Sequence, residues 1–263
     1  MITSKANPQI KKVKTLLRRS GRDKAGLFLV EGVRLTEEAL SSDLVEAVYY
    51  SPKLLENPRG QELLEAARTA GIQEVACSAP VLEEISDTVT SQGIVAVVRK
   101  PSWQWELSGL IIIADQIRDP GNLGTLFRTA VGAGAEGMLL TTGCVDPYNS
   151  KVVRASMGGI FRLPHALFDG EQVVQMLKEA GMQIVVADLI DSQTYFAAHY
   201  AQNVALVIGS EAHGPSPEFL QAADLKVKIP LVGEMESLNA SVAAGILMYE
   251  IVRQHHLSRE ELL

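Results

Sequence analysis

Three loops of the sequence combine glycine with asparagine, serine or a carboxylate directly after an apolar segment. They are residues 115–124 (DQIRDPGNLG), 208–214 (IGSEAHG) and 229–239 (IPLVGEMESLN). Glycine lets the backbone approach a ligand closely, and the neighbouring amides and carboxylates offer hydrogen bonds. If the three loops meet at one edge of a sheet, they form a pocket lined by backbone groups, which suits a planar ligand such as adenine.

Polar side chains in or near these loops are candidates for catalysis, and most have an alternative role in local structure. Asn122 is placed to cap the helix after the first loop, and Ser237 or Asn239 to cap the last long helix. Glu211 is the one carboxylate of the second loop. Arg128 lies in the helix after the first loop, and on composition alone an ordinary surface arginine is the alternative.

Strand and helix patterns alternate along the chain, which predicts an α/β fold. Continuous apolar strands separated by helices, as in the second half, indicate a parallel sheet covered on both faces. Such a sheet binds ligands at the carboxyl ends of its strands, where the three loops begin. The predicted strands are residues 27–31, 45–50, 72–76, 93–98, 110–115, 137–141, 183–188, 204–209 and 225–229. The predicted helices are residues 32–42, 60–70, 80–86, 123–133, 149–157, 170–180 and 238–254.

An aperiodic stretch between the two halves predicts a domain boundary. Residues 99–109 (RKPSWQWELSG) contain a proline, a glycine and both tryptophans, and we expect the tryptophans to pack on a domain. A chain of 263 residues is also long enough for about two domains. We therefore predict a domain of residues 1–99, a linker of residues 100–108 and a domain of residues 109–263.

The first 24 residues are strongly basic, although the whole chain has a net charge of −7. They contain eight lysine and arginine residues and one aspartate, and in a single helix Lys11, Lys14, Arg18 and Arg22 share one face. A polyanion is the natural partner of such a face, because each neutralised phosphate releases a counterion. A solvated helix without a partner and a helix on a membrane surface are the alternatives.

Composition excludes several classes of protein. With 47% hydrophobic and 21% charged residues, the chain is neither disordered nor fibrous. No apolar run approaches the ~20 residues of a membrane helix, and the basic N-terminal segment is not a secretory signal. Two cysteines and five histidines lack metal-ligand spacing, so we predict neither a disulfide framework nor a metal site. A cytoplasmic protein with reduced thiols is the expectation.

Taken together, the three loops resemble the signature motifs of the SpoU/TrmH-type RNA 2′-O-ribose methyltransferases, part of the SPOUT superfamily. The matching segments are DQIRDPGNLGTLFRTAVGAGA, LVIGSEAHGPSPE and KIPLVGEMESLNASVAAGILMYE, in the family's order within residues 109–255. KVVRASMG and FRLP, residues 151–158 and 161–164, resemble the segment between the first two motifs. Upstream, GLFLVEGVRLTEEAL and SQGIVAVVRKP are similar to the ribosomal-protein-like substrate-binding domain of many members.

The resemblance implies a catalytic domain with a deep trefoil knot, formed by the second and third loops, that holds S-adenosylmethionine. It also implies a homodimer with the last helix at the interface. By the family's pattern, the expected cofactor-binding residues are Gly209, Ile229, Leu238, Ile208, Gly214 and Pro230. The expected catalytic residues are Asn122, Arg128, Glu211, Ser237 and Asn239.

The implied reaction is methylation of a ribose 2′-hydroxyl in RNA, with ribosomal RNA favoured by the upstream domain. Because a guanidinium stays protonated in proteins, we assign Arg128 to gripping the target phosphate and stabilising the developing alkoxide. Glu211 or a water then accepts the proton, while the remaining polar residues orient the ribose and the loops. The expected RNA contacts outside the site are Lys11, Lys14, Arg18, Arg22, Lys151 and Arg154.

Other functions stay open on the sequence alone. The chain can be a non-catalytic RNA-binding protein that assists ribosome assembly, or a methyltransferase acting on transfer RNA. A nucleotide-dependent oxidoreductase is supported only by GAGAEG, residues 132–137. That segment ends a predicted helix and precedes a strand, which is the reverse of the order that binds a pyrophosphate.

Overall fold

The computed structural model describes residues 1–88 and 90–257, and the chain forms two compact units. The first consists of Met1–Ser102 and Asp146–Arg162, and the second of Trp103–Val145 and Leu163–Leu263. The contact units thus differ from a division at one boundary, because residues 146–162 leave the second unit and lie in the first. Residues 258–263 of the predicted second domain lie outside the described residues.

The strands and helices follow the predicted alternation. The strands are β1 (Leu27–Glu31), β2 (Val45–Tyr50), β3 (Gln73–Ala76), β4 (Ile94–Arg99), β5 (Leu110–Ala114), β6 (Gly137–Thr141), β7 (His165–Phe168), β8 (Gln183–Ala187), β9 (Gln193–Thr194), β10 (Val204–Ile208) and β11 (Leu225–Lys228). The α-helices are α1 (Pro8–Lys14), α2 (Arg19–Ala25), α3 (Val33–Leu40), α4 (Pro52–Leu55), α5 (Pro58–Thr69), α6 (Ala79–Leu82), α7 (Pro120–Gly132), α8 (Ser150–Ala155), α9 (Gly170–Glu179), α10 (Pro217–Ala222) and α11 (Ala240–Leu257). Single turns of 3₁₀ helix cover Thr15–Leu17, Glu83–Ile85, Gly159–Phe161 and Tyr195–Ala197.

The first unit is built on a mixed sheet with the strand order β1-β4-β2-β3. β4 runs antiparallel to β1 and β2, whereas β3 is parallel to β2. Residues 146–162 contribute to the core of this unit, because Phe28 of β1 packs on Tyr148 and Phe161, with ring centroids 4.9 and 6.1 Å away. These aromatic contacts contribute to the complete burial of Phe28.

The basic N-terminal segment is two short helices, not the single helix that the sequence predicts. Arg18 has an extended backbone (φ −104°, ψ 143°) between α1 with its 3₁₀ turn and α2. Because this residue interrupts the helical phase, the prediction that Arg22 faces solvent with Lys11 and Lys14 is wrong. Arg22 is 5% exposed, and its Nε and Nη2 donate to Asp146 Oδ2 at 3.0 and 2.5 Å.

The second unit contains a seven-stranded sheet with the order β7-β6-β5-β10-β8-β11-β9, and every described neighbour pair is parallel. β5, β6 and β10 are buried along their whole length, which confirms the predicted parallel sheet covered on both faces. β10 lies between β5 and β8, and β11 on the far side of β8. The carboxyl ends of these four strands therefore lie side by side at one edge.

Two helices bring the first and third loops towards this edge. α7 begins at Pro120, and its cap is Asp119, whose Oδ1 accepts from Asn122 N at 2.8 Å. The alternative in which Asn122 caps the helix is therefore wrong, since Asn122 lies inside the first turn. α11 begins after Asn239, whose Oδ1 accepts from Ser241 N at 3.0 Å, so the capping role considered for Asn239 is confirmed.

Candidate active site

A cleft of about 380 Å³ lies at the carboxyl edge of the second sheet, beside β8, β10, β11 and the start of α11. The second and third loops form most of its wall. Five of the residues predicted to bind the cofactor line it, namely Ile208, Gly209, Gly214, Ile229 and Leu238. The sixth, Pro230, follows Ile229 but is not among the described lining residues.

The second loop folds back on itself where it borders the cleft. A Cβ atom on Gly209 would lie 2.2 Å from Gly214 C and Pro215 N, closer than any side chain tolerates. Gly214 has φ of +67°, in the left-handed region that glycine adopts without strain, and its N donates to Ser210 O at 2.9 Å. Both glycines are therefore required by the backbone path, and they leave backbone groups facing the cleft.

The chemistry of the lining fits an adenosyl group. Ala243 and Leu247 of α11 offer apolar surface for a ring, and the loop backbone offers hydrogen bonds at its edge. Asp188, directly after β8, is half-buried in the cleft wall, with Oδ1 accepting from Leu189 N at 2.7 Å. Its carboxylate is suited to accept hydrogen bonds from ribose hydroxyls. Asp188 was not predicted from the sequence, although its position at a strand's carboxyl end marks it.

Polar side chains from all three loops meet at the mouth of the cleft. Asn122 Nδ2 donates to Glu211 Oε1, and Asn122 Oδ1 accepts from Asn239 Nδ2 at 2.9 Å. Ser241, a residue that no sequence motif indicates, donates from Oγ to Asn239 Oδ1 at 2.6 Å. The three segments thus form one hydrogen-bonded network in which each asparagine amide has a fixed orientation.

The two remaining predicted catalytic residues are placed differently. Ser237 is exposed and lines the cleft. Arg128 is exposed on α7, does not line the cleft, and forms no hydrogen bond or ion pair with the described part of the chain. The structure therefore brings Asn122, Glu211 and Asn239 into contact, while Arg128 is left with a guanidinium available to solvent or to a ligand.

A buried carboxylate holds the first loop against its neighbours. Asp115, 1% exposed at the end of β5, accepts from Thr141 Oγ1 at 2.8 Å and from Ser216 N at 2.7 Å. These bonds tie the ends of β5 and β6 to the start of α10. The first loop of the site is thus held at its start by hydrogen bonds to a neighbouring strand and to the start of a helix.

The described parts of the chain contain no group of potential metal ligands, and burial raises the pKa of both thiols, Cys77 and Cys144. Across residues 1–88 and 90–257, no three His, Cys, Asp or Glu residues are grouped to hold a metal ion. Cys144 lies near the first loop, with Sγ 3.1 Å from Ala114 O, and burial raises the pKa of its thiol to about 11. It is therefore a neutral thiol at pH 7 and a poor nucleophile.

The residues predicted to contact RNA outside the site differ in their availability. Lys11, Arg18 and Lys151 are exposed, and Lys14 is exposed but paired with Glu84. Arg154 is half-buried, and the guanidinium of Arg22 is buried in its ion pair with Asp146.

Two regions of the chain match known families. Residues 109–249 match the SpoU rRNA methylase family, and residues 7–96 match the MRM3-like substrate binding domain. This chain belongs to the SpoU rRNA methylase family. The match covers the cleft, the network at its mouth and Arg128, so the predicted family is confirmed.

Relatives and solved structures cover almost the whole methylase. It is 32% identical to 23S rRNA (guanosine(2553)-2′-O)-methyltransferase RlmP of Bacillus subtilis, over 95% of this chain and 98% of the relative. An AdoMet-bound rRNA methyltransferase from Sinorhizobium meliloti superposes with a TM-score of 0.85 at 28% identity, covering 96% and 97% of the two chains. AviRb from Streptomyces viridochromogenes, a SpoU methyltransferase in complex with AdoMet, gives a TM-score of 0.83 at 30% identity, covering 95% and 98%.

These similarities confirm that the methylase is an enzyme that uses S-adenosylmethionine to methylate a ribose 2′-hydroxyl in RNA. They also leave the oxidoreductase alternative without support. Within the described residues, no helix has the length and apolar character needed to cross a membrane.

Proposed function

We propose that the methylase acts on one nucleotide of the large ribosomal subunit RNA. The RlmP relative is named for 23S rRNA, and the first unit matches a substrate-binding domain named for an rRNA methyltransferase. The observation that carries a catalytic rather than a purely binding role is the network that joins Asn122, Glu211 and Asn239 at the mouth of the cleft. A protein that only binds RNA has no need of oriented polar groups beside an adenosyl cleft.

In this proposal the cleft holds the cofactor largely through backbone. Ile208, Gly209 and Ile229 supply backbone contacts, Leu238 an apolar contact, and Asp188 a carboxylate for the ribose of the cofactor. When bound, S-adenosylmethionine supplies an electrophilic methyl group on a sulfonium. The chain has to present the RNA hydroxyl in line with that methyl group, and fixed orientation of two reactants contributes up to about 7–11 kcal/mol in ideal cases.

Glu211 is the proposed acceptor of the hydroxyl proton. Its Oε1 accepts from Asn122 Nδ2, while Oε2 has no hydrogen bond within residues 1–88 and 90–257. The amide therefore holds the carboxylate in one orientation and leaves one oxygen for the ribose hydroxyl or for a water. Asn239 fixes Asn122 in turn, and Ser237 is the further side chain offered to the ribose.

Arg128 is proposed to hold the phosphate next to the target ribose. A guanidinium does not lose its proton in proteins, so it cannot serve as the base. Because Arg128 is exposed and unpaired among the described residues, its five N–H donors are free for a phosphate and for the developing alkoxide.

A homodimer through α11 belongs to the same proposal. Val242, which is apolar, and Tyr249, which is aromatic, are 52% and 53% exposed on this helix, and Gly245 between them has no side chain to prevent close approach. Burial of such a face in a second copy removes the apolar surface from water. A trefoil knot is proposed as well, supported by the second and third loops lining one cleft on either side of β8. The cytoplasmic location stays a prediction.

One assay tests the activity and separates the alternatives. The purified chain is incubated with methyl-labelled S-adenosylmethionine and either a 23S rRNA transcript or a mixture of tRNAs, and 2′-O-methylation is mapped by mass spectrometry. Label at one position of the 23S transcript supports the proposal. Label only in tRNA, or binding of cofactor and rRNA without transfer to either RNA, contradicts it and favours the tRNA enzyme or the assembly protein.

A further inference from the structure

We propose that a second cleft, in the first unit, binds one unpaired nucleotide of the RNA and so contributes to the choice of substrate. This inference rests on the proposed function. The cleft, called here the Arg34 cleft, is lined by residues from the end of β1, α3 and the segment around α8, namely Glu31, Arg34, Leu35, Glu38, Arg154 and Met157. All of them belong to the first unit.

The size and walls of the Arg34 cleft suit a single planar ring. Its volume is about 210 Å³, below the roughly 300–1,000 Å³ of pockets for larger ligands. Leu35 is buried in its wall, and Met157 is 40% exposed at its edge. A thioether and a leucine offer apolar contact to a base of any type. An unpaired base has a free face for this contact, whereas a base stacked within a helix does not.

Two guanidinium groups at the Arg34 cleft have unused donors. Arg34 is exposed and forms no hydrogen bond or ion pair with the described part of the chain. Arg154 Nη1 is buried without a hydrogen-bond partner, while Arg154 Nη2 lies 3.6 Å from Asp87 Oδ2. A buried N–H of a charged group without a partner is costly, and Arg34 is the exposed guanidinium of this cleft, with its donors open to a ligand oxygen.

The carboxylates of the same cleft are already engaged. Glu31 accepts from Ser86 Oγ and Thr88 Oγ1, and from the backbone N of Asp87 and Thr88 at 2.9 and 3.2 Å. Glu38 pairs with Arg162. Glu38 Oε1 has no hydrogen bond among the described residues, but the ion pair with Arg162 offsets the charge of this carboxylate. The guanidinium groups of the cleft therefore favour an anion, and its apolar walls favour a ring. A nucleotide is the unit of RNA that carries both.

Met157 shows that the backbone holds a side chain at this cleft in spite of strain. Its φ is +48°, a left-handed conformation that is uncommon for residues other than glycine. Glycine at this position would relieve the strain and remove the side chain at once. The substitution Met157→Gly is therefore compatible with the backbone, and it isolates the contribution of the thioether to binding.

The test measures binding and methylation of an in vitro 23S rRNA transcript by the full-length chain. Four proteins are compared: the wild type, Arg34→Gln, Met157→Gly and a matched control, Arg68→Gln. Arg68 is also an exposed arginine of the first unit, but it pairs with Glu74 of β3, at the sheet edge opposite β1. Arg34→Gln is expected to weaken binding about tenfold and to lower the slope of log Kd against log salt by about 1. Met157→Gly is expected to weaken it about fivefold with the slope unchanged, because no charge is removed.

The outcomes separate this inference from the proposed function. Weaker binding by both cleft variants and wild-type binding by Arg68→Gln upholds the Arg34 cleft, even if no protein transfers a methyl group, in which case the proposed function fails. If the wild type methylates the transcript while the Arg34 and Met157 variants keep the Kd and salt slope of the control, the Arg34 cleft is refuted and the function stands. A wild-type chain that does not bind the transcript overturns both.

Discussion

Asn122 Oδ1 accepts a hydrogen bond of 2.9 Å from Asn239 Nδ2, although the two residues are 117 positions apart. Since Asn122 Nδ2 also donates to Glu211, both ends of one amide are used to join the first loop to the second and third. A side-chain amide donates at its nitrogen and accepts at its oxygen, so a single group makes both hydrogen bonds. Neither a carboxylate nor an apolar residue of similar size can replace it.

Asn122→Asp is predicted to abolish most of the methylation while leaving cofactor affinity intact. The new carboxylate faces Glu211 and repels it, so the proton acceptor is displaced, and a displacement of about 1 Å costs on the order of a hundredfold in rate. Asn122 does not line the cleft, so the Kd for S-adenosylmethionine by calorimetry stays within about twofold of wild type. A variant with full single-turnover activity on rRNA would show that the network does not orient the acceptor.

Gly209→Ala is predicted to eliminate cofactor binding and to lower the melting temperature. The added methyl group overlaps Gly214 C and Pro215 N at 2.2 Å, and such overpacking costs about 1–3 kcal/mol. Gly233→Ala is the matched control in the third loop, because no heavy atom lies within 4 Å of its Cβ position. The two variants are compared by thermal melting with and without S-adenosylmethionine, and equal cofactor-induced shifts would contradict the close approach at Gly209.

Arg128→Lys is predicted to lower turnover at least tenfold without a change in cofactor affinity. Lysine keeps the charge but loses the fork of N–H donors that grips a phosphate at two points. The loss is expected in kcat with saturating RNA, because the alkoxide develops only in the transition state. Nearly full turnover in Arg128→Lys would rule out the bidentate grip.

Arg22→Met is predicted to destabilise the first unit by about 3–5 kcal/mol, because Asp146 is left charged and buried without its partner. The double variant Arg22→Met with Asp146→Leu should recover part of this loss. Arg19→Gln, whose side chain is exposed and pairs with Asp23 at 3.6 Å, should stay within about 0.5 kcal/mol of wild type. Urea unfolding of the three variants, compared with the wild type, checks this order of stabilities. An unfolding midpoint of Arg22→Met equal to that of the wild type would contradict a stabilising buried ion pair.

Stability is predicted to fall between pH 6.5 and pH 4 because of His165. Burial lowers the pKa of this imidazole from 6.5 to about 4, so the folded chain keeps it neutral in a pH range where the unfolded chain binds a proton. The resulting decrease in the free energy of unfolding is negligible above pH 6.5 and reaches about 3 kcal/mol at pH 4. In His165→Gln this part of the pH dependence should vanish, whereas the exposed His213→Gln should retain it in denaturant titrations.

The periodic parts of the fold could be predicted from sequence, and the irregular parts could not. The bounds of β1, β2 and β6 are those predicted, because each is a short apolar run bounded by a change of pattern. β7 and β9 were missed, since β7 begins directly after Pro164 and β9 has two residues, which leaves no run to detect. Helix α7 begins three residues before the predicted start, because proline and glycine are typical of turns, yet Pro120 occupies the first helical position, which needs no N–H donor.

At the candidate site, contacts between segments that are far apart in the sequence could not be predicted. The three loops were recognisable, yet nothing in the sequence says that Asn122 contacts Glu211, 89 positions away. The burial of Arg22 depends on Asp146, 124 positions away, and on a break at Arg18 that helix propensity does not predict. Ser241 joins the network only because Asn239 caps α11, which fixes both backbones.

Because Asp146–Arg162 belongs to the first unit, the peptide chain passes from one unit to the other three times, at residues 102–103, 145–146 and 162–163. A fragment ending at residue 99 would lack Tyr148 and Phe161 against Phe28 and would leave Arg22 with no counter-ion. The amino-terminal half is therefore not a detachable module that evolution or an engineer can exchange by a single cut. Transfer of this half to another enzyme requires transfer of residues 146–162 as well.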